Sequence, residues 1–257
     1  MHFVKMEGLG NDFIVVEYSE AERWLSVMSV LSPRLCDRHF GIGADGVIIV
    51  GTSPEADLSM RIFNADGSEA EMCGNGIRCL AKFAFERGMV KHPSFTVETR
   101  AGLIIPQVVV CDGKVEQVRV DMGRPRLTPN EIPVNMEGER VVNAPLPLGK
   151  RIFRFTAVSM GNPHVVIFEI PPDWEEWGKQ IENHHFFPQR TNVEFVRVVS
   201  PTEAEVKVWE RGAGATLACG TGACAVLVAG VLNGVLERSA QIRLPGGVLS
   251  ISWEEDE

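Results

Sequence analysis

The chain has 257 residues, 45% hydrophobic and 23% charged, with a formal net charge of -9 at pH 7. That length supplies one large or two medium domains with ample core, and the composition excludes a disordered chain. The acidic balance, unbroken by any Lys/Arg run or basic amphipathic stretch, argues against nucleic acid and anionic membranes, which leaves small molecules as the expected partners.

Met1-His2-Phe3-Val4-Lys5-Met6-Glu7 has no basic region followed by an apolar core and a small-residue cleavage site, so no export is expected. Residues 3–16 read as two short strands around a Gly/Asn/Asp turn that contains Asn11. Residues 32–39 read as a helix, and the run Gly41-Ile42-Gly43-Ala44-Asp45-Gly46 leads into a strand at 47–50. A dinucleotide fingerprint needs strand, glycines, then helix; here the glycines precede a strand, so they read as a tight connection. Cys36 reads as a small buried hydrophobe.

A strand at 60–63 ends at Asn64 and is followed by Glu71-Met72-Cys73-Gly74-Asn75-Gly76 and a helix at 77–87. Strands are expected at 95–98, 103–110 and 115–122, and the turn-rich passage 123–129 marks a boundary between domains 1–122 and 123–257, the last strand of which could return to the first. Residues 130–155 should supply strands broken by Pro133, Pro145 and Pro147. Residues 173–181 read as a short helix. His184-His185 is a weak metal pair, since adjacent side chains in a helix or strand point apart.

The second half repeats the first. Leu217-Ala218-Cys219-Gly220-Thr221-Gly222 echoes the earlier cysteine turn, and the echo runs without gaps from 60–64 against 206–210 to 88–90 against 234–236. Met160-Gly161-Asn162-Pro163-His164 likewise echoes the corner at Asn11, and Glu210 stands nine residues before Cys219 as Asn64 stands nine before Cys73. Each unit reads strand, loop, Cys-Gly-x-Gly, apolar helix, glycine stop. A duplicated module usually packs about a pseudo-twofold axis, which would set two cysteines at glycine-rich helix starts, where backbone N–H groups and the dipole favour anions and thiolates.

Cys73 and Cys79 have five residues between them, Cys219 and Cys224 four, so neither pair has the two-residue spacing of metal knuckles or redox motifs; Cys79 and Cys224 read as core fillers. Six cysteines at irregular spacings are no disulfide framework, and reduced thiols in the cytoplasm are expected. The apolar segment 222–236 falls short of the roughly 20 residues that span a bilayer.

The segments Gly8-Leu9-Gly10-Asn11-Asp12-Phe13, Arg61-Ile62-Phe63-Asn64-Ala65-Asp66-Gly67-Ser68, Cys73-Gly74-Asn75-Gly76-Ile77-Arg78-Cys79, Gly161-Asn162-Pro163-His164, Arg190-Thr191-Asn192-Val193-Glu194, Glu210-Arg211-Gly212 and Ala218-Cys219-Gly220-Thr221-Gly222 resemble, in order, the diaminopimelate epimerase family. The resemblance implies an α+β fold of two pseudo-symmetric domains, each a mostly antiparallel sheet curled around a central helix, with the active site in the cleft between them. It implies an isomerase that needs no cofactor and no metal, interconverts LL- and meso-diaminopimelate for lysine and peptidoglycan synthesis, and is a homodimer. By position, Cys73 and Cys219 would be the acid/base pair, with Gly74, Asn75, Gly220 and Thr221 holding the reacting carboxylate. Asn11, Asn64, Asn162, Asn192, Glu210 and Arg211 would bind the rest, Arg211 suiting a distal carboxylate and Glu210 an ammonium. His164 either steers the second thiol or caps a strand entry. Many relatives carry a substrate-contacting Gln where this chain has Gly46. Other readings are racemisation of proline, hydroxyproline or another amino acid on the same fold, a thiol redox protein, and a non-catalytic binding module.

Overall fold

The structure is a computed structural model and describes residues 2–254. The chain forms two compact units, Met1–Asp121 and Met122–Glu257.

In the first unit the strands are β1 (Val4–Gly8), β2 (Asn11–Glu17), β3 (Gly46–Gly51), β4 (Leu58–Asn64), β5 (Glu69–Ala70), β6 (Val97–Thr99), β7 (Gly102–Ile104), β8 (Pro106–Cys111) and β9 (Lys114–Val120). Its helices are α1 (Tyr18–Ala21), α2 (Met28–Cys36) and α3 (Gly74–Glu86). One sheet runs β1-β2-β3-β4-β6-β7 with β5 beside β4, and β8 pairs β9 separately. Only β2/β3 and β4/β6 are parallel. Both faces of the sheet are covered, which explains apolar runs without alternation such as Phe13-Ile14-Val15-Val16: Phe13 and Val15 pack in the cluster built on α3, while Ile14 and Val16 pack in the one under α2.

The second unit holds β10 (Ala144–Leu148), β11 (Arg151–Ser159), β12 (Pro163–Ile167), α4 (Trp174–Glu182), β13 (Asn192–Ser200), β14 (Glu203–Glu210), β15 (Gly214–Thr216), α5 (Gly220–Leu232), β16 (Ser239–Leu244) and β17 (Gly247–Ser252). Its sheet runs β10-β11-β12-β13-β14-β16-β17 with β15 beside β14. Apart from β10, this is the order of the first sheet, and the parallel pairs recur at β12/β13 and β14/β16. The fold is therefore α+β, one sheet-and-helix module built twice. Every residue of α5 from Gly222 to Gly230 is buried, which accounts for its apolar composition on all sides. The opposite face of this sheet packs against α4, where Gly178 lies so close to Trp209 that a Cβ would meet the Trp209 Cβ at 2.7 Å. The last strand, β17, pairs with β16 inside the second unit.

Several expectations are corrected. The first long helix begins at Met28, not 32, and runs through Pro33; it stops where Asp37 Oδ1 accepts from the amides of His39 and Phe40, both at 2.7 Å. The strand expected at 103–110 is two strands in two sheets, because Pro106 cannot donate to a continuing ladder. Residues 130–143 form turns, and strand structure starts only at Ala144. His184 and His185 lie in a turn beyond α4, where the alternation of a regular element does not apply, and their rings touch at a tilt of 37° with centroids 4.2 Å apart.

Candidate active site

Both cysteine turns are built alike. Cys73 is the N-cap of α3 with extended backbone (φ -143°, ψ 120°), and its Sγ accepts from the Gly76 amide at 3.4 Å. Cys219 is the N-cap of α5 (φ -127°, ψ 115°), its Sγ accepting from the Gly222 amide at 3.3 Å. Sulfur thus takes the capping place that Ser or Asp usually fills, pointed at the first-turn N–H groups where negative charge is favoured. Gly74 and Asn75, like Gly220 and Thr221, form those first turns. A Cβ on Gly220 would meet no described atom within 4 Å, so that glycine faces open space.

Around Cys73, Asn75 is buried and its Oδ1 accepts from Arg78 Nη2 at 2.6 Å. Asn64 ends β4 and its Nδ2 donates to Ser68 Oγ at 2.9 Å. Asn11 opens β2 after Leu9 and Gly10, both at positive φ (59° and 82°), the geometry of a type I′ hairpin turn. Its Oδ1 is buried without a hydrogen-bond partner among the described residues, a cost that a bound donor would relieve. Gly46, where the family resemblance leads one to expect Gln, is buried with Phe63 O at 3.0 Å from where a Cβ would sit. Backbone and the Phe13 ring fill that place.

Cys219 has a more charged setting. Thr221 Oγ1 lies 3.4 Å from its sulfur. Burial pushes the Cys219 thiol far above its ordinary range, and the Glu210 and Glu194 carboxylates add to the rise. Glu210 itself is raised, first by burial, while its Oε1 accepts from Thr216 Oγ1 at 2.6 Å. His164 is fully buried, its Nδ1 2.7 Å from Glu194 Oε1 and its Nε2 3.0 Å from Asn162 Oδ1. Asn192 donates from Nδ2 to Pro163 O at 2.8 Å and accepts at Oδ1 from the Arg211 amide at 2.9 Å, so it builds the Arg211 turn. Arg211 Nη1 donates to Gln189 O at 3.0 Å.

Two residues escaped the sequence reading. Glu194 is fully buried beside His164, and the signal for it was a carboxylate interrupting an apolar run in a strand covered on both faces. Glu182 on α4 gathers the Gly212 amide (2.9 Å), Trp209 Nε1 (2.8 Å) and Arg190 Nη1 (3.1 Å), clamping the turn that carries Glu210 and Arg211. Nothing local in the sequence marks it. Cys79 and Cys224 are buried, Cys79 within the core around α3, where burial pushes its thiol up to about 12. Cys36, also buried, is pushed up to about 11. Among the described residues no group of His, Cys, Asp and Glu could hold a metal ion, and no helix is long and apolar enough to cross a membrane.

Solved structures share this two-unit fold. A hydroxyproline epimerase from Agrobacterium vitis, with bound trans-4-hydroxy-L-proline, superposes with a TM-score of 0.68 over 98% of this chain and 82% of that one, at 16% identity. A methylitaconate-delta-isomerase matches with 0.63 over 99% of this chain and 89% of that one, also at 16%. At such identities the likeness is of fold alone. The family model for diaminopimelate epimerase matches residues 3–128 and 156–257. Diaminopimelate epimerase of Pelotomaculum thermopropionicum is 54% identical over 99% of this chain and 92% of its own length, and that of Desulforudis audaxviator 53% identical over 100% and 92%. The chain belongs to the diaminopimelate epimerase family, and is an isomerase acting on a small molecule.

Proposed function

We propose that the chain interconverts LL- and meso-diaminopimelate through a thiolate and a thiol, Cys73 and Cys219, in lysine and peptidoglycan precursor synthesis. The observation that carries this reading is the pair of N-capping cysteines, each aimed at the first turn of a buried helix in an equivalent place of a repeated module. Inverting a carbon requires one group to remove the proton from one face and another to deliver a proton to the opposite face. A thiolate and a thiol supply both roles without a cofactor. The α-proton is weakly acidic, so the carbanion needs donors already oriented at the carboxylate, and the first-turn amides of Gly74, Asn75, Gly220 and Thr221 suit that task.

Arg211 is assigned the distal carboxylate and Glu210 the distal ammonium. Asn11, Asn64 and Asn162 contact the remaining polar atoms, and Asn192 contributes also by holding the Arg211 turn. The buried Oδ1 of Asn11, short of a donor, suits an ammonium group. His164 steers the second thiol. Domains meeting the boundary near residue 122, a cytoplasmic location and a homodimer complete the proposal, supported by family membership; light scattering on the purified protein reads the last.

The test is incubation of reduced protein with LL-diaminopimelate in deuterated water. Deuterium should enter at Cα as meso product accumulates, unaffected by chelator. Cys73→Ala and Cys219→Ala should each lose about 10³-fold or more, since each removes one obligatory proton transfer. Cys79→Ala should lose stability while keeping turnover; equal loss of turnover in Cys79→Ala would sink the assignment.

A further inference from the structure

Matching the two sheets strand by strand shows buried positions that do not correspond in chemistry. In the parallel pair β2/β3, Phe13 stands opposite Gly46, with Ile48 two residues on. In β12/β13, His164 stands opposite Asn192, with Glu194 two residues on. His164 and Glu194 therefore occupy the places that Phe13 and Ile48 fill in the first unit. The helix starts agree: a Cβ on Gly76 would meet Ile48 Cδ1 at 3.2 Å, and one on Gly222 would meet Glu194 Oε1 at 2.7 Å.

The first unit shows that this module closes on an apolar pair. The second instead buries an imidazole and a carboxylate, both fully inaccessible, and leaves Glu194 Oε2 without a hydrogen bond among the described residues. Burying a carboxylate with one oxygen unsatisfied opposes folding, whereas Ile at the same place would favour it. Packing therefore does not account for Glu194. Its position does: the point where a Gly222 Cβ would lie is 2.7 Å from Glu194 Oε1 and 3.3 Å from Cys219 Sγ, so carboxylate and thiol are neighbours across that glycine.

We propose that Glu194 is a positioning residue for the second thiol: it fixes the His164 ring through Nδ1 and stands a carboxylate beside Cys219 Sγ, holding that sulfur in its protonated form. The inference rests on Cys219 being one of the two proton-transfer groups. The charged or titratable groups acting on Cys219 are Glu210 from β14 and Glu194 from β13, with His164 from β12 bonded to Glu194. Burial raises the thiol most, and the two carboxylates raise it further. Ile48 stands in the corresponding place beside Cys73, so a carboxylate at this position is particular to the second cysteine turn.

The test is the pH dependence of iodoacetamide alkylation, read separately at Cys73 and Cys219 by peptide mass mapping. Glu194→Gln keeps an oxygen for His164 Nδ1–H and removes the charge. Cys219 in this variant should be alkylated about tenfold faster at neutral pH, the equivalent of one pKa unit, while Cys73 is unchanged. Glu194→Ile reproduces the first unit's packing, so it should fold, show the same shift at Cys219, and turn over more slowly than Glu194→Gln because His164 has lost its partner. An unmoved Cys219 profile, or an equal shift at Cys73, would overturn the proposal. So would failure of both variants to fold, which would make Glu194 structural. If Cys219 shifts but wild type does not epimerise diaminopimelate, the substrate assignment falls and the role of Glu194 stands; turnover with an unmoved profile gives the converse.

Discussion

Gly222 has the least room in the second cysteine turn. An added Cβ would meet Glu194 Oε1 at 2.7 Å, Cys219 Cβ at 3.2 Å and Cys219 Sγ at 3.3 Å, and the carboxylate is already held by His164. Its counterpart Gly76 faces Ile48 Cδ1 at 3.2 Å and Cys73 Cβ at 3.4 Å, and a terminal methyl can turn away. Gly222→Ala should therefore cost about 1–3 kcal/mol with a marked loss of turnover, and Gly76→Ala less. Urea midpoints of the two variants check this; equal costs would mean that the His164–Glu194 pair yields as easily as a methyl. At this scale the two cysteines stand out by spacing and repetition, Asn11 by the echo at Asn162, and the role proposed for Arg211 comes from the family resemblance. Glu194 could not be read in this way, because its meaning depends on which strand face looks toward α5.

At the scale of elements, the corner between β1 and β2 shows how charge secures a turn that carries Asn11. Asp12 binds Arg38 through both carboxylate oxygens, at 2.8 and 3.1 Å, and Lys5 at 3.0 Å, while its amide donates to Asp45 Oδ2 at 3.0 Å. Burial alone would raise its pKa, but the bonds and charges of Arg38 and Lys5 together outweigh that and hold it at about 2, below the ordinary 3.8. A carboxyl depressed in the folded state stabilises above its unfolded pKa and loses that contribution as pH falls through its folded one. Thermal stability should therefore decline between about pH 4 and pH 2, and Asp12→Asn should melt lower at pH 7 with a flatter curve across that window. Parallel slopes in the two proteins would show that Asp12 contributes no such linkage. The sequence marked this corner as a turn, yet its partner Arg38 arrives from beyond α2, a contact that local pattern does not encode.

For the whole molecule, the proposed substrate contacts predict a selectivity that amino-acid racemisation would not need. Where binding desolvates committed charges, an analogue lacking the matching group is rejected by about 10⁴ or more, since the charge is left unpaired. Lysine lacks the distal carboxylate assigned to Arg211 and should be a very poor substrate. Arg211→Ala should lower diaminopimelate turnover severely and narrow its advantage over lysine. Exchange of α-protons in diaminopimelate, lysine and proline, with wild type and variant, measures both effects, and efficient wild-type exchange of proline or lysine would move the chain to the amino-acid racemase reading.

What the sequence alone determined is what repeats: the Cys-Gly-x-Gly turns, their following helices and the strands that precede them recur at constant spacing, and a repeat exposes its functional positions by keeping them. Helix boundaries around Pro33, the irregular stretch 130–143 and the ring contact of His184 with His185 do not follow from residue preference alone. The same is true of Glu182 and Glu194. Each acts on groups from strands or turns remote in sequence, Glu182 on the Gly212 amide and Glu194 on His164, and only the parallel register of β12 with β13 shows that a carboxylate stands where the first repeat has isoleucine. Spacing along a chain carries no record of which side chains a sheet brings to one face, so that part of the site had to be read from the fold.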